Sequence, residues 1–386
     1  MGTFTIEYVL VLIGTLLISL VLTPVVRFIA PKIGAVDNPN ARRINKVPMP
    51  SGGGIAIVIS FTIATLILMP IAFHDPYMGH YYFDYMLPVV LGGLIIAITG
   101  FVDDIKELSA KWKMLGIVLG AVVIALFTDF QFDSFKIPFG GPLIEFNPFV
   151  TFLVTVIWIV GITNAVNFLD GLDGLVSGVA IISMTTMGLI SNFFLFDSDY
   201  YLTLTIFVLI MAIAGFFPYN YHPAIIYLGD TGSLYIGFMI AVLSLQGLKN
   251  ATAVAVVSPM IVLGVPIVDT LFAILRRQLS GKKFYEPDRM HLHHRLLSMG
   301  FTHRGAVLVV YGIAIVFSLI SLLLNVSSRW GGILMLLGFA FMIEIFLENI
   351  ELMGKNRKPL MNTLKFIGNS SYRQEVLENY QKKSKK

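Results

Sequence analysis

Cysteine is absent from all 386 residues, which excludes a disulfide framework, thiolate metal sites and a cysteine nucleophile. Charge is scarce as well. Asp, Glu, Lys and Arg make up 13% of the chain, against roughly 25% in a soluble domain. A soluble globular enzyme is thereby excluded. So is a disordered chain, which needs low hydrophobicity with high net charge. Internal repeats and a separable soluble domain are missing too. What the chain has in quantity is apolar surface: 56% hydrophobic residues, 30 Phe and a mean hydropathy of +0.81.

A bilayer core is crossed by ~20 mostly apolar residues per helix, within a range of about 17–25. Eleven segments qualify, near 7–28, 53–73, 86–102, 112–128, 149–166, 174–193, 201–217, 232–247, 252–275, 306–325 and 329–347. The third, fourth and eleventh have the shortest charge-free cores. The first lacks a basic n-region and a small-residue cleavage site, so it reads as a retained span. The expected fold class is an all-α, polytopic integral membrane protein. Lys and Arg collect on the cytoplasmic side of membrane proteins. With the N-terminus outside and the C-terminus cytoplasmic, every one of the 27 basic residues except Lys136, Lys249 and Arg329 falls inside. The outer loops are short and aromatic, with a turn or hairpin expected around Phe139-Gly-Gly-Pro142. The organisation expected is one transmembrane catalytic domain over residues 1–350 and a basic tail over 351–386. The tail reads as a solvated cytoplasmic extension with at most weak contact to anionic lipid.

In this topology several polar clusters fall at cytoplasmic ends. The third span ends in Asp103-Asp104, and the fifth runs into Asn164, Asn167, Asp170 and Asp173. Gly229-Asp230-Thr231-Gly232-Ser233 follows the seventh, and Arg276-Arg277 and then His291-Leu-His293-His294-Arg295 follow the ninth. Singly, most have bland readings: a solvated acid pair, a helix cap at Asp230 or Thr231, surface histidines. Asp269, two turns before Arg276, reads equally as a paired buried acid or as part of a site. Gly52-Gly53-Gly54 reads more readily as a tight turn into the second span than as an anion cradle. The Asn/Asp run resists a bland reading. Its three-residue step sweeps half the circumference of an α-helix but nearly aligns in an unwound segment, and Gly171 and Gly174 favour unwinding. Two carboxylates and two amides on one ridge suit a hard divalent cation such as Mg2+, which takes oxygen ligands and substrate phosphates. With Lys113, Arg276, Arg277, Arg289, Arg295 and three histidines nearby, the inner face suits a cytoplasmic diphosphate meeting a lipid phosphate.

Asn164–Leu175 (NAVNFLDGLDGL), Gly229–Leu234 (GDTGSL), Asp103-Asp104 and His291–Leu297 (HLHHRLL) resemble the polyprenyl-phosphate N-acetylhexosamine-1-phosphate transferases. The order and spacing match from about Asp37 to Arg304 and are most similar to the TagO/WecA branch. The resemblance implies an MraY-like fold in a bacterial plasma membrane, with the active site on the cytoplasmic face. It implies transfer of GlcNAc-1-phosphate from UDP-GlcNAc to undecaprenyl phosphate, with release of UMP. That reaction begins wall teichoic acid or related envelope glycans. Mg2+ is the implied cofactor, with Mn2+ as a substitute. By motif, Asp173 and Asp230 are the implied metal ligands, and Asp103 and Asp104 lie where the lipid phosphate is engaged, Asp103 as base or positioning residue. Asn164, Asn167 and Asp170 line the nucleotide side, and Lys113 matches a phosphate-contacting lysine. His291, His293, His294 and Arg295, with Arg276 and Arg277, would handle the diphosphate and sugar.

The branch usually has His five residues before the proline matching Pro50. Asn45 stands there, which argues against a general-base role at that position. MraY-like transfer of phospho-MurNAc-pentapeptide is the alternative, opposed by Gly300-Phe-Thr-His303-Arg304 after the histidine motif. A secondary transporter is the alternative of another class, opposed by acids at span ends rather than at the midplane. The expected partners are the two substrates, the bilayer and a second copy of the chain as a homodimer, with no nucleic acid.

Overall fold

A computed structural model describes residues 5–39, 47–73, 76–136, 142–194, 200–246, 261, 264–279, 291–350, 358–369, 372–374 and 376–377. The protein is an all-α, multi-pass membrane protein. Among the described residues nine helices are long and apolar enough to cross a membrane, and Gly229–Leu245 is a shorter apolar one. The helices that matter below are α1 (Ile6–Ile29), α2 (Gly54–Ile63), α3 (Leu87–Lys106), α4 (Ala110–Phe127), α5 (Pro148–Leu169), α6 (Leu175–Phe194) and α7 (Tyr200–Asn220). They continue with α8 (Gly229–Gln246), α9 (Gly264–Leu279), α10 (Leu292–Ser298), α11 (His303–Val326), α12 (Arg329–Asn349) and α13 (Pro359–Gly368). Ten of the eleven expected spans have a described helix. Of the ninth, near 252–275, the part from Gly264 on is helical in α9, and most of the remainder lies outside the described residues.

Local chemistry sets the ends. Thr5 caps α1 by accepting from the Tyr8 N–H, Asn147 caps α5 at Val150, and Ser328 caps α12 at Gly331. Pro148 stands at the first position of α5, where its missing N–H costs nothing. Hydroxyls inside the spans turn back on their own helices: Thr15 donates to Val11 O, Thr155 to Thr151 O and Thr163 to Ile159 O. Two short antiparallel ribbons interrupt the helices. β1 (Val36–Asp37) pairs with β2 (Met49–Pro50). β3 (Ser134–Lys136) pairs with β4 (Leu143–Glu145), the expected hairpin, whose turn residues 137–141 lie outside the described set.

The chain divides into two compact units, Met1–Val268 with His303–Val326, and Asp269–Thr302 with Ser327–Lys386. In the first, α8 is the central element and packs on α2, α3, α5 and α6. Leu234, Tyr235, Ile236, Phe238, Met239, Ala241 and Val242 are all buried, as expected for a helix that is apolar all round. Small residues admit its neighbours. A Cβ on Gly54 of α2 would lie 2.1 Å from the Gly232 Cα, and one on Gly100 of α3 would lie 2.5 Å from the Asp230 carbonyl. In membranes such contacts replace the hydrophobic drive as the source of helix association. In the second unit, α12 packs against α13.

Candidate active site

α8 begins three residues earlier than its apolar run suggests, so Gly229–Ser233 is its first turn rather than a loop. The first N–H groups of a helix have no partner within it and form the positive end of its dipole. Asp104, in the last turn of α3, supplies that partner. Its Oδ1 accepts from the Asp230 N–H at 2.9 Å and from Ser51 Oγ at 3.1 Å. Its Oδ2 accepts from the Thr231 N–H at 3.0 Å and the Thr231 hydroxyl at 2.6 Å. The cap of α8 is therefore a carboxylate from another helix, where the sequence suggested Asp230 or Thr231.

Asp103 is buried. The backbone turns at Glu107, with φ of 49°, and returns the Leu108 N–H to Asp103 Oδ1 at 2.6 Å. A non-glycine residue held at positive φ stores strain of the kind found at functional sites. Asp103 Oδ2 receives Lys113 Nζ at 3.2 Å, and the same ammonium lies 2.7 Å from Asp230 Oδ1. A lysine near the start of a helix opposes the dipole, and here two carboxylates hold it there. Asn167 Nδ2 donates to Asp230 Oδ1 and, at 2.8 Å, to Ser233 Oγ. α3, α4, α5 and α8 thus each place a polar side chain on Asp230 or beside it. A cavity of about 510 Å³ opens here, lined by Ser51, Asp103, Asp104 and Asp230 with Asp37 and Asn38 among others.

The expected ridge from Asn164 to Asp173 is split. Asn164 and Asn167 stay on α5, and Asn164 Nδ2 donates back to Val160 O at 2.8 Å. The chain unwinds only at Asp170–Gly174, where Gly174 takes φ of 74° before α6 begins. Burial, reinforced by the negative charge of Asp230, Asp104 and Asp173 and opposed by Lys113, holds the Asp170 carboxyl well above the usual carboxylate range. Asp173 Oδ2 accepts from His222 Nδ1 at 2.6 Å and from the Ala224 N–H at 3.1 Å. The Asp173 N–H donates to His303 Nε2 at 2.9 Å, so His303 carries its ring proton on Nδ1.

Two kinds of metal site can be weighed. Asp173, His222 and His303 bring ligand atoms within 4.8 Å of one another. Yet the two imidazoles stack at 4.1 Å between centroids, 16° from parallel. A metal ion lies near the plane of each ring that binds it, and it cannot lie in two parallel planes so far apart. The trio suits hydrogen bonding. The acids around Asp230 are different: oxygen donors, and more carboxylates than Lys113 can balance, so that burial and their mutual repulsion raise the Asp170 pKa. That is the donor set of a hard divalent cation.

In the second unit, Asp269 is buried and paired, as one of its two sequence readings had it. Its Oδ2 accepts from His291 Nδ1 at 2.9 Å and its Oδ1 from the Leu292 N–H at 2.8 Å, anchoring the start of α10. His291 and His293 are buried, and the rings of His293 and His294 lie 4.2 Å apart. Arg295 Nε donates to Ile350 O at the C-terminus of α12, a favourable place for a cation. Arg276 and Arg277 occupy the last turn of α9. Asn45, Lys282, Lys283 and Arg289 lie outside the described residues. In the Gly52–Gly54 turn, Gly53 and Gly54 spend their N–H groups on Tyr227 O and Leu228 O, which settles it as a turn rather than an anion cradle.

Sequence reasoning missed Ser51, Ser233, His222 and His303 as members of these networks. A serine beside a glycine run and an isolated histidine carry no signal of their own. Ser233, in Gly229–Leu234, and His303, in Gly300-Phe-Thr-His303-Arg304, belonged to noted patterns but were given no role there.

Residues 86–248 match glycosyl transferase family 4. The chain is 38% identical to a probable undecaprenyl-phosphate N-acetylglucosaminyl 1-phosphate transferase of Bacillus subtilis, over 92% of this chain and 95% of the relative. It is 33% identical to a decaprenyl-phosphate N-acetylglucosaminephosphotransferase of Mycobacterium tuberculosis, over 79% of each. It is 28% identical to an undecaprenyl-phosphate alpha-N-acetylglucosaminyl 1-phosphate transferase of Salmonella typhi, over 78% of this chain and 79% of the relative.

Proposed function

The chain belongs to glycosyl transferase family 4, and on that footing we propose that it transfers GlcNAc-1-phosphate from UDP-GlcNAc to undecaprenyl phosphate at the N-terminus of α8. The observation that carries the site is the convergence of Asp103, Lys113, Asn167 and Asp230 on that helix end. The reaction balances without a further reactant. An oxygen of the lipid phosphate attacks the β-phosphorus, the bond to UMP breaks, and undecaprenyl-diphospho-GlcNAc and UMP result.

A phosphate monoester has its second pKa near 6, so much of the lipid phosphate is already a dianion at neutral pH. The work left to the protein is positioning and charge neutralisation rather than proton abstraction. Lys113 stands between Asp103 and Asp230, where an incoming phosphate could take over its ammonium. Asp103 is then the residue that holds or releases that lysine. Asp104 is a positioning residue, because four donors already occupy its carboxylate. Asp173 and Asp230, with Asp170 beside them, would hold Mg2+ or Mn2+. When bound, the ion would neutralise charge on the transferring phosphate. His222 and His303 orient Asp173. The histidine motif of α10, with Arg276, Arg277 and Arg295, would serve the diphosphate and sugar.

The site is proposed to face the cytoplasm of a bacterium, in its plasma membrane. Residues 1–350 would act as one catalytic domain, supplying the first lipid-linked sugar of wall teichoic acid or a related envelope glycan. A homodimer is the proposed assembly. The test is purified protein in detergent with Mg2+, undecaprenyl phosphate and radiolabelled UDP-sugars. Butanol-extractable label from UDP-GlcNAc with stoichiometric UMP is expected. Label only from UDP-MurNAc-pentapeptide would overturn the substrate assignment. Solute flux in proteoliposomes without UMP release would overturn the reaction.

A further inference from the structure

α13 has a feature that the proposed reaction does not use. Its ten residues form an amphipathic helix: Leu360, Met361, Leu364 and Ile367 share one stripe at helical spacing, while Asn362, Lys365 and Asn369 lie on the other side. Phe366 lies off the stripe and is half-buried. No described residue of α13 is buried, and Ile367 is 67% exposed. An isolated helix of this length is marginal in water, so something must hold it. One end is held by Glu348 of α12. Glu348 is 3% exposed, and its carboxylate accepts the Leu360 N–H at 2.6 Å and the Met361 N–H at 2.7 Å. These are the second and third positions of α13, whose N–H groups have no intrahelical partner.

A residue near the end of a helix long and apolar enough to cross a membrane therefore fixes where α13 starts. The charge nearby is one-sided. From Lys355 to Lys386 the sequence has nine basic residues against Glu375 and Glu378. An exposed apolar stripe, a polar opposite face and an excess of Lys and Arg describe a helix lying in the plane of an interface. Anionic headgroups attract such basic segments.

We propose that α13 lies on the bilayer that α12 crosses, with Leu364 and Ile367 in the headgroup–acyl boundary of an anionic leaflet. Glu348 is the pin that sets its starting point. The basic residues bias the helix toward anionic lipid, and the tail is thereby tied down rather than solvated.

The absence of cysteine makes the test direct, because the natural chain is already a clean background for single-cysteine labelling. Ile367→Cys and Asn362→Cys, each carrying an environment-sensitive fluorophore, are placed in nanodiscs of phosphatidylglycerol or of phosphatidylcholine alone. In phosphatidylglycerol, shallow nitroxide lipids are expected to quench the Ile367→Cys label several-fold more than the Asn362→Cys label, with iodide giving the reverse order. The contrast should shrink in phosphatidylcholine and on Glu348→Gln. Equal iodide access of both labels in phosphatidylglycerol would overturn the proposal. So would a contrast that vanishes when each disc holds a single copy, since the stripe would then be covered by another chain.

Discussion

The change Asp104→Asn separates a cap from a reacting group. Four donors meet this carboxylate: the N–H groups of Asp230 and Thr231 and the hydroxyls of Thr231 and Ser51. They are shared two to each oxygen. An amide offers one acceptor oxygen and one NH2, so either orientation sets two donors against another donor. Hydrogen bonds to a charged group contribute roughly 1.5–3 kcal/mol each, so losing two costs about 3–6 kcal/mol before relaxation. Asp103→Asn is the control. It leaves one oxygen for the Leu108 N–H, and Lys113 keeps Asp230. Its cost in stability should be about 1 kcal/mol or less, because the surviving partners are satisfied. Thermal unfolding in detergent, with transfer activity and UDP-GlcNAc affinity by calorimetry, reads both. Asp104→Asn should unfold many degrees lower and lose nucleotide affinity with activity. Asp103→Asn should unfold near the parent, bind nucleotide and turn over slowly. An Asp104→Asn protein as stable as the parent but inactive would refute the cap.

Further outcomes follow from the same geometry. Asp230→Ala and Asp173→Ala should each abolish turnover in the radiolabel assay, and retained activity in either would break the metal assignment. Gly54→Ala places a Cβ 2.1 Å from the Gly232 Cα. Separating α2 from α8 should cost about 1–3 kcal/mol by overpacking, read as lowered thermal stability with lowered activity. Asp269→Asn removes one charge-assisted bond at His291 or Leu292, roughly a ten- to hundredfold effect, expected in kcat more than in stability. Chelation by EDTA should stop turnover, with recovery on adding Mg2+ or Mn2+.

The membrane spans were legible because an apolar run needs no partner to be recognised. Their junctions were not. The apolar run of the third span covers 86–102, yet the apolar helical stretch extends over Gly79–Lys106 through a π-helical turn at Tyr82–Met86. Backbone hydrogen bonding there leaves no mark in composition. In the site, acids and amides announced themselves by type and spacing, but their roles did not. Asp103 and Asp104 are neighbours in sequence, and one closes a helix end while the other holds a lysine. That distinction depends on Gly100 and Gly54 letting α8 approach, a matter of long-range packing. The three-residue step implies one continuous ridge. In the structure Asn164 serves its own helix, and only Asp170–Gly174 unwinds.

α8 begins at residue 229, so α2, α3, α5 and α6, on which it packs, leave the ribosome before it. Until it arrives, Asp104 has no helix end to cap, and Asp103 and Lys113 lack the third member of their bridge. Asp103 then has Lys113 alone as its counter-charge, and Asp104 lacks the backbone donors of Asp230 and Thr231 and the Thr231 hydroxyl. The same late element supplies the central core helix and Asp230, so a chain interrupted before it is unpacked and, on the proposed mechanism, inert. Quality control that senses the unfilled Asp104 carboxylate would read whether α8 has been inserted.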